Sequence, residues 1–296
     1  MNNEIPEKRR AASIGTFDGV HRGHHIVLDT VVNVARDKDM QPVALTFDRH
    51  PLQLIAPKRA PGMITTMRRK NYLIEKRGVW PITVAFDDTT RKMTAKEWMM
   101  HLRDYYNIDV LVVGYDNTFG CDGVNMSVAD YRDIGTELGI EIIEAPIVEG
   151  VSSSAIRKAI ARGDIEGAAL MLGRPYHLPG TVTHGNKLGH TIGYPTANLQ
   201  PMPGLLIPAS GVYAAEAVLP DGNIKKAMVN IGTRPTIKRG NELTIEAHII
   251  NWDGDLYGKP LRLYFHKRLR DERQFKSIDE LREQLAKDKT ATLSAF

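Results

Sequence analysis

The stretch GTFDGVHRGHH, residues 15–25, constrains this chain more than any other. It follows a short apolar run at 11–14 and precedes a helical pattern that opens near Ile26. A strand ending at Phe17 and a helix opening around Gly23 bring backbone N–H groups and the positive end of a helix dipole to one point, which suits a phosphate chain. His21 and His24 fall on neighbouring positions of one helix face, where both imidazoles can donate to a single phosphoryl group. Gly23 between them is expected to let a nucleotide approach the backbone. H-x-x-H alone is common and usually marks exposed or capping histidines, so the reading rests on the strand and turn before it.

The 296 residues suffice for two domains of ordinary size. The first half alternates. Apolar, β-branched segments at 11–14, 43–47, 82–86, 110–113 and 141–144 are separated by helical patterns at 26–39, 65–77, 94–106 and 127–138. This predicts a parallel sheet with crossover helices. Thr94 with Glu97, and Ser127 with Asp130, give capping-box starts for two of the helices. Ligands of such sheets bind beyond the carboxyl ends of the strands, where GTFDGVH, TFDRHP and VGYDNTFG all fall.

The segment VSSSAIRKAIARGD, 151–164, reads as a capped helix. Its Ser153 and Ser154 hydroxyls, the N–H groups of its first turn and Arg157 one turn later would also form a second phosphate clamp. At GRPYHLPG, 173–180, Gly and Pro predict a linker, and beyond it the periodicity becomes two. Segments at 181–183, 211–218, 226–231, 244–250 and 260–266, divided by Gly, Asn and Asp turns, predict a compact antiparallel barrel. A last helix over 277–287 turns Ile278, Leu281 and Leu285 to one face for packing on it.

Two barrel stretches carry chemistry. GTVTHGNKLGHTIGYPTANL, 180–199, places Gly180, Gly185 and Gly189 around Lys187. Backbone amides of such a loop can surround a phosphate, and Thr196 and Asn198 are hard oxygen donors for Mg²⁺. Taken alone, the same stretch reads as a glycine-rich β-corner. Glu246 interrupts the apolar LTIEAHII and is either a rim residue or a positioned base, which periodicity does not decide. LRDERQF, 269–275, is a charged segment between strand and helix that usually reads as a solvated loop, and here is also placed to close over a ligand.

Composition narrows the rest. The single Cys121 excludes an internal disulfide and is expected to be a small packed residue. No apolar run reaches the length of a membrane span, and the polar start lacks a signal core, so a cytoplasmic protein with no membrane partner is expected. Net charge is +4, with 22 Lys and Arg against 23 Asp and Glu up to Leu172 and 17 against 12 beyond it. That modest, dispersed excess fits phosphate-bearing small molecules at least as well as nucleic acid.

H-x-G-H preceded by G-x-F-D resembles the signature that nucleotidyltransferases share with HIGH-type aminoacyl-tRNA synthetases. Taken in order, GTFDGVHRGH, TFDRHP, VSSSAIR, LGRPY, GYPTANL, NIGTRPT, DLYGK and LRDERQF resemble the prokaryotic bifunctional riboflavin kinase/FAD synthetase family, a resemblance that covers 13–288. The resemblance implies a Rossmann-like nucleotidyltransferase domain with a parallel sheet over 1–172, a linker at 173–179, and a six-stranded antiparallel β-barrel with a terminal helix over 180–296. It further implies that ATP and riboflavin give FMN in the barrel, and that FMN and a second ATP give FAD and pyrophosphate in the first domain, with Mg²⁺ as the metal. On these terms His21 and His24 stabilise the transferring phosphoryl group, Gly15, Phe17, Asp18 and Gly23 shape the ATP loop, and Ser153, Ser154 and Arg157 hold the triphosphate. Phe47, His50, Pro51, Asp116 and Phe119 fall to the flavin side of the first site. In the barrel, Gly180, Gly185, Lys187, Gly189, Thr196 and Asn198 fall to Mg²⁺-ATP, Glu246 to the catalytic base, and Arg270, Glu272 and Phe275 to the flavin. Asn117, Arg49 and His190 depart from the family pattern, Asn117 by removing an aromatic residue.

Two other readings compete. One is a lone nucleotidyltransferase whose barrel binds flavin without phosphorylating it. The other is an RNA-binding protein on a synthetase-like fold, which would need a cluster of aromatic and Arg platforms that the sequence does not display.

Overall fold

A computed structural model of the chain describes residues 8–115, 118–184, 189, 192–236 and 240–296, with side chains described outside 234–236 and 240–242. Asp116, Asn117, Gly185, Lys187 and His190 lie outside the described residues. The chain divides into two compact units, Met1–Ser153 and Ser154–Phe296.

In the first unit β1 (Arg10–Ile14), β2 (Gln41–Phe47), β3 (Trp80–Val84), β4 (Ile108–Val113) and β5 (Glu141–Glu144) form a parallel sheet in the order β3-β2-β1-β4-β5. The chain builds outward from β1 to β3, then returns to the other side of β1 with β4. The resulting switch point lies between β1 and β4, where loops diverge and a ligand crevice opens in folds of this type. Helices α1 (Arg22–Asp37), α2 (Pro51–Ile55), α3 (Met67–Glu75), α4 (Ala95–Tyr106) and α5 (Val128–Leu138) connect the strands. Apolar strand residues face both ways because helices cover both sides of the sheet. Ala12, Ile14, Leu111 and Val113 meet Trp98, Met99 and Leu102 of α4 and Tyr131 of α5, while Ala11, Val110 and Val112 meet Leu28 and Val31 of α1 and Ile74 of α3. Both predicted capping boxes are present, at Thr94 and Ser127.

The second unit opens with α6 (Ser153–Ala161), whose first residue belongs to the first unit, and α7 (Ile165–Leu172), which lies on β6 and β11. Strands β6 (Tyr176–Thr183), β7 (Ala197–Pro201), β8 (Gly211–Val218), β9 (Ile224–Thr236), β10 (Gly240–Ile249) and β11 (Pro260–Arg270) close a barrel in the order β10-β7-β6-β11-β8-β9. Helix α8 (Ile278–Leu293) follows and packs on β8, β9 and β11.

Three expectations need correction. Gly173 ends α7 in the left-handed conformation, at φ 71°, but β6 starts at Tyr176, so most of 173–180 is barrel wall with Tyr176 and Leu178 fully buried. Proline at 179 masked that strand, yet a barrel admits it where no ladder N–H is required. Ile278 is 56% exposed, and α8 buries Asp288 and Thr292 instead. Cys121 is exposed, its thiol 3.2 Å from the Lys92 carbonyl.

Candidate active sites

Across 15–25 the expected turn and helix form, with α1 starting at Arg22, but β1 ends at Ile14 rather than at Phe17, so the turn takes up 15–21. This turn is strained: Phe17, Gly19 and Val20 have φ of 46°, 86° and 38°. Left-handed backbone at a β-branched residue such as Val20 costs about 1–3 kcal/mol and persists only where surrounding contacts impose it. Those contacts come from the segment before α3. The Asp18 carboxylate, fully buried, accepts the Ile64 and Thr65 N–H groups at 3.0–3.1 Å and the Thr65 hydroxyl at 3.3 Å. Thr65 Oγ1 also accepts the Gly19 N–H at 3.1 Å, and the Ser153 hydroxyl donates to the Asp18 carbonyl at 2.9 Å.

His21 is the N-cap of α1, and the two histidines cap each other. His21 Nδ1 accepts the His24 N–H at 3.3 Å, and His24 Nδ1 accepts the His21 N–H at 3.4 Å. The rings stack, with centroids 3.7 Å apart and planes 15° apart. Accepting at Nδ1 places the proton of each neutral imidazole on Nε2, making Nε2 the donor for an anion at the helix start. An added Cβ on Gly23 would lie 3.2 Å from two atoms of the His21 ring, so this glycine makes room for the imidazole rather than for a ligand.

Other first-site expectations separate. His50 caps α2 by accepting the Leu52 N–H at Nδ1, and Pro51 starts that helix. Phe47 packs edge-on against Phe86 and Trp98, and Phe119 stacks on Tyr131 at 4.5 Å. Both rings are committed to the core, 8% and 6% exposed, which corrects their expected place on a flavin. Gly15 extends the sheet through a bond from its N–H to the Leu45 carbonyl. Ser154 and Arg157 lie in the first and second turns of α6, within the second unit.

In the barrel, strand register sets the neighbours of Glu246. Asn198 pairs with Glu246, Glu246 with Asn230, Asn230 with Val212, and Val212 with Arg270. Directly paired residues share a face of the sheet, so these five form one row around the barrel. All five line one cavity of about 210 Å³, together with Gly189, Tyr194, Thr196, His248, Glu272, Arg273, Phe275, Leu281, Leu285 and Asp288. A second cavity, of about 520 Å³, lies between Val182, Ala247, Ile249, Trp252, Leu256 and Tyr257, and Thr196 lines both.

Arg270 is not an open flavin contact. Its guanidinium donates to both oxygens of the buried Asp288 carboxylate at 2.8–3.1 Å and to the Asp271 carbonyl at 2.9 Å. Gln284 donates to the same carboxylate at 2.7 Å. This pair ties α8 to the end of β11. Phe275 is held between two cations, with the Arg273 guanidinium 4.7 Å and that of Arg270 5.8 Å from its centroid. Glu272 lies across Gly232, where a Cβ would meet its Oε1 at 2.0 Å.

Sequence reasoning missed Asn230, His248 and Asp288. His248 had a signal, being two residues from Glu246 on the same face. Its Nδ1 is 2.9 Å from the Pro195 carbonyl and so carries the proton, and burial lowers its pKa. Asp288 had none, because a carboxylate in a charged helix reads as solvated surface.

Comparison with known proteins matches residues 4–157 to the FAD synthetase family and 172–296 to the riboflavin kinase family. Bifunctional riboflavin kinase/FMN adenylyltransferases from Bacillus subtilis and Escherichia coli K12 are 32% and 34% identical, covering 98% and 99% of this chain and 93% and 95% of theirs. The crystal structure of a macrolide-efflux protein from Streptococcus pneumoniae is also similar, with a TM-score of 0.88 at 30% identity, covering 98% of this chain and 95% of that one. Among the described residues, no helix is long and apolar enough to cross a membrane.

Proposed function

Because the chain belongs to the bifunctional riboflavin kinase/FMN adenylyltransferase family, we propose that its two activities divide between the sites just described. The enzyme phosphorylates riboflavin with ATP to give FMN and adenylates FMN with ATP to give FAD. Adenylylation belongs to the first unit and phosphorylation to the barrel of the second. Since its substrates are soluble metabolites, the enzyme works in the cytoplasm without nucleic acid or membrane partners.

The observation that carries the kinase assignment is the row joining Asn198, Glu246 and Asn230 inside one cavity. Glu246 takes the proton of the ribityl 5′-hydroxyl as that oxygen attacks the γ-phosphorus, and ADP departs. The cavity wall of Phe275, Leu281 and Leu285 offers an apolar surface to the flavin ring. The adjoining cavity, with Trp252 and Tyr257, takes the nucleotide, so that Thr196 stands where the phosphoryl group crosses. Gly185, Lys187 and Gly189 are assigned to the nucleotide phosphates, whereas Gly180, paired with Leu261 and Pro201 within β6, belongs to the barrel wall. Thr196 and Asn198 fit Mg²⁺, being neutral oxygen donors beside one cavity, with the triphosphate supplying the balancing charge. Bound there, the ion would neutralise charge developing on the transferred group.

At the first site an FMN phosphate oxygen attacks the α-phosphorus of ATP and pyrophosphate leaves. Two imidazoles stacked at 3.7 Å serve a single phosphoryl group, donating from Nε2 to its non-bridging oxygens. Asp18 and Ser153 hold the turn. His50 and Pro51 shape the flavin side, with Asp116.

Product analysis after incubation with riboflavin, ATP and Mg²⁺ tests the reading. Wild type makes FMN, then FAD. Glu246→Gln loses about a hundredfold or more in FMN formation while still converting supplied FMN to FAD. Wild type converting FMN but never riboflavin would favour the lone nucleotidyltransferase with a non-catalytic barrel.

A further inference from the structure

The segment ITTMRRK, 64–70, has no role in either reaction as assigned above. Its contacts converge on the turn that carries the histidines. Ile64 and Thr65 bind the Asp18 carboxylate through their N–H groups, and Thr65 Oγ1 binds the Gly19 N–H. Lys70, only 2% exposed, donates from Nζ to the Thr16 and Phe47 carbonyls, each at 3.0 Å. Thr16 precedes the strained turn and Phe47 ends β2, so one ammonium joins the carboxyl ends of two adjacent strands. The Thr46 hydroxyl reinforces the join by donating to the Thr16 carbonyl at 3.1 Å.

A buried ammonium is costly unless it holds something in place. Its N–H groups go to main-chain oxygens at the mouth of the sheet. The charged groups acting on it are Asp18, on the turn after β1, and Asp48, after β2. Asp18 is thereby fixed from both sides, by the 64–65 amides and by the Lys70 charge, and Asp18 lies three residues before the first imidazole.

We infer that Lys70 is a positioning residue for adenylyl transfer, its ammonium locking the 15–21 turn so that His21 and His24 meet the α-phosphoryl group in a fixed geometry. The inference rests on the first-site reading given under Proposed function. Its role is exerted through the turn, with no contact to substrate.

The test uses the full chain and measures FAD formation from FMN and ATP beside FMN formation from riboflavin and ATP. Lys70→Met is expected to lower kcat for FAD formation by at least about tenfold, with KM for ATP changed little and FMN formation unaltered. Burial lowers the Lys70 pKa to about 8, so wild-type kcat for FAD formation should fall above that pH, and the residual activity of Lys70→Met should lack this fall. Should Lys70→Met leave the first unit unfolded, Thr65→Val decides. It removes the hydroxyl bonds to Gly19 and Asp18, lowers kcat several-fold, and keeps the alkaline fall. Unchanged kcat in both variants, or an alkaline fall that persists in Lys70→Met, overturns the inference. Wild type making no FAD at all overturns the first-site reading itself, which keeps the two failures distinct.

Discussion

Removing the carboxylate that anchors the last helix should loosen the flavin cavity and destabilise the barrel together. The Asp288 side chain is 4% exposed and that of Arg270 is 20% exposed, with three contacts of 2.8–3.1 Å between them. Asp288→Ala leaves a largely buried guanidinium without its counter-ion, and breaking such a pair costs about 3–5 kcal/mol. Partial exposure of Arg270 puts the expectation near the low end, about 3 kcal/mol, which for a unit of this size lowers its Tm by about 10 °C. Calorimetry on the full chain reads this as a shift of the barrel transition. Because Leu281 and Leu285 reach the cavity from α8, KM for riboflavin should rise by about tenfold, with the FMN-to-FAD reaction unaffected. The double variant Arg270→Met with Asp288→Leu removes both charges and should recover most of the lost stability. A barrel transition that stays within about 2 °C of wild type in Asp288→Ala, with KM unchanged, would show that the pair carries neither role.

His24→Ala removes one ring of the stacked pair and the cap of the His21 N–H; FAD formation should fall by about a hundredfold while FMN formation stays within about twofold, as measured by product chromatography. The Lys70 pKa, lowered by burial from 10.5 to about 8, also sets a stability profile. Between those values the unfolded chain binds more protons than the folded one, so stability of the first unit rises with pH, and a penalty of about 3 kcal/mol below pH 8 vanishes above pH 10.5. Denaturant titrations across that window should show the rise in wild type and not in Lys70→Met; parallel curves for the two proteins would contradict it.

Much of this architecture was legible because the governing periods are strong. The α/β alternation predicted five strands and four helices of the first unit to within a few residues, since each strand is built on a short apolar run and each helix has a cap or an amphipathic face. The barrel was legible as a class but not strand by strand. Ala197–Pro201 is short and follows a glycine-rich stretch that reads as a corner, and Tyr176–Thr183 is interrupted by Pro179 and Gly180. For single residues, sequence offered candidates for the chemistry more readily than for the supports. His21 and His24 stood out by local pattern, whereas Thr196, Asn198 and Glu246 were singled out as candidates without periodicity deciding their role. Asp288 and Lys70 act through partners 18 and 54 residues away, a separation at which no local period carries information. Phe47 and Phe119 err in the opposite sense, since an aromatic ring beside a binding loop looks the same in sequence whether it turns toward ligand or core.

The ring of paired residues through Asn198, Glu246, Asn230, Val212 and Arg270 also limits how this half of the gene can change length. A strand in a closed barrel is flanked on both sides, so one codon gained or lost within a stave rotates every later side chain to the opposite face, offering Ile245 or Ala247 where the carboxylate belongs. Substitution can therefore proceed along the staves, whereas insertions and deletions fall to the turns that join them or to irregularities such as those β11 carries between Phe265 and Lys267 and between Arg268 and Arg270.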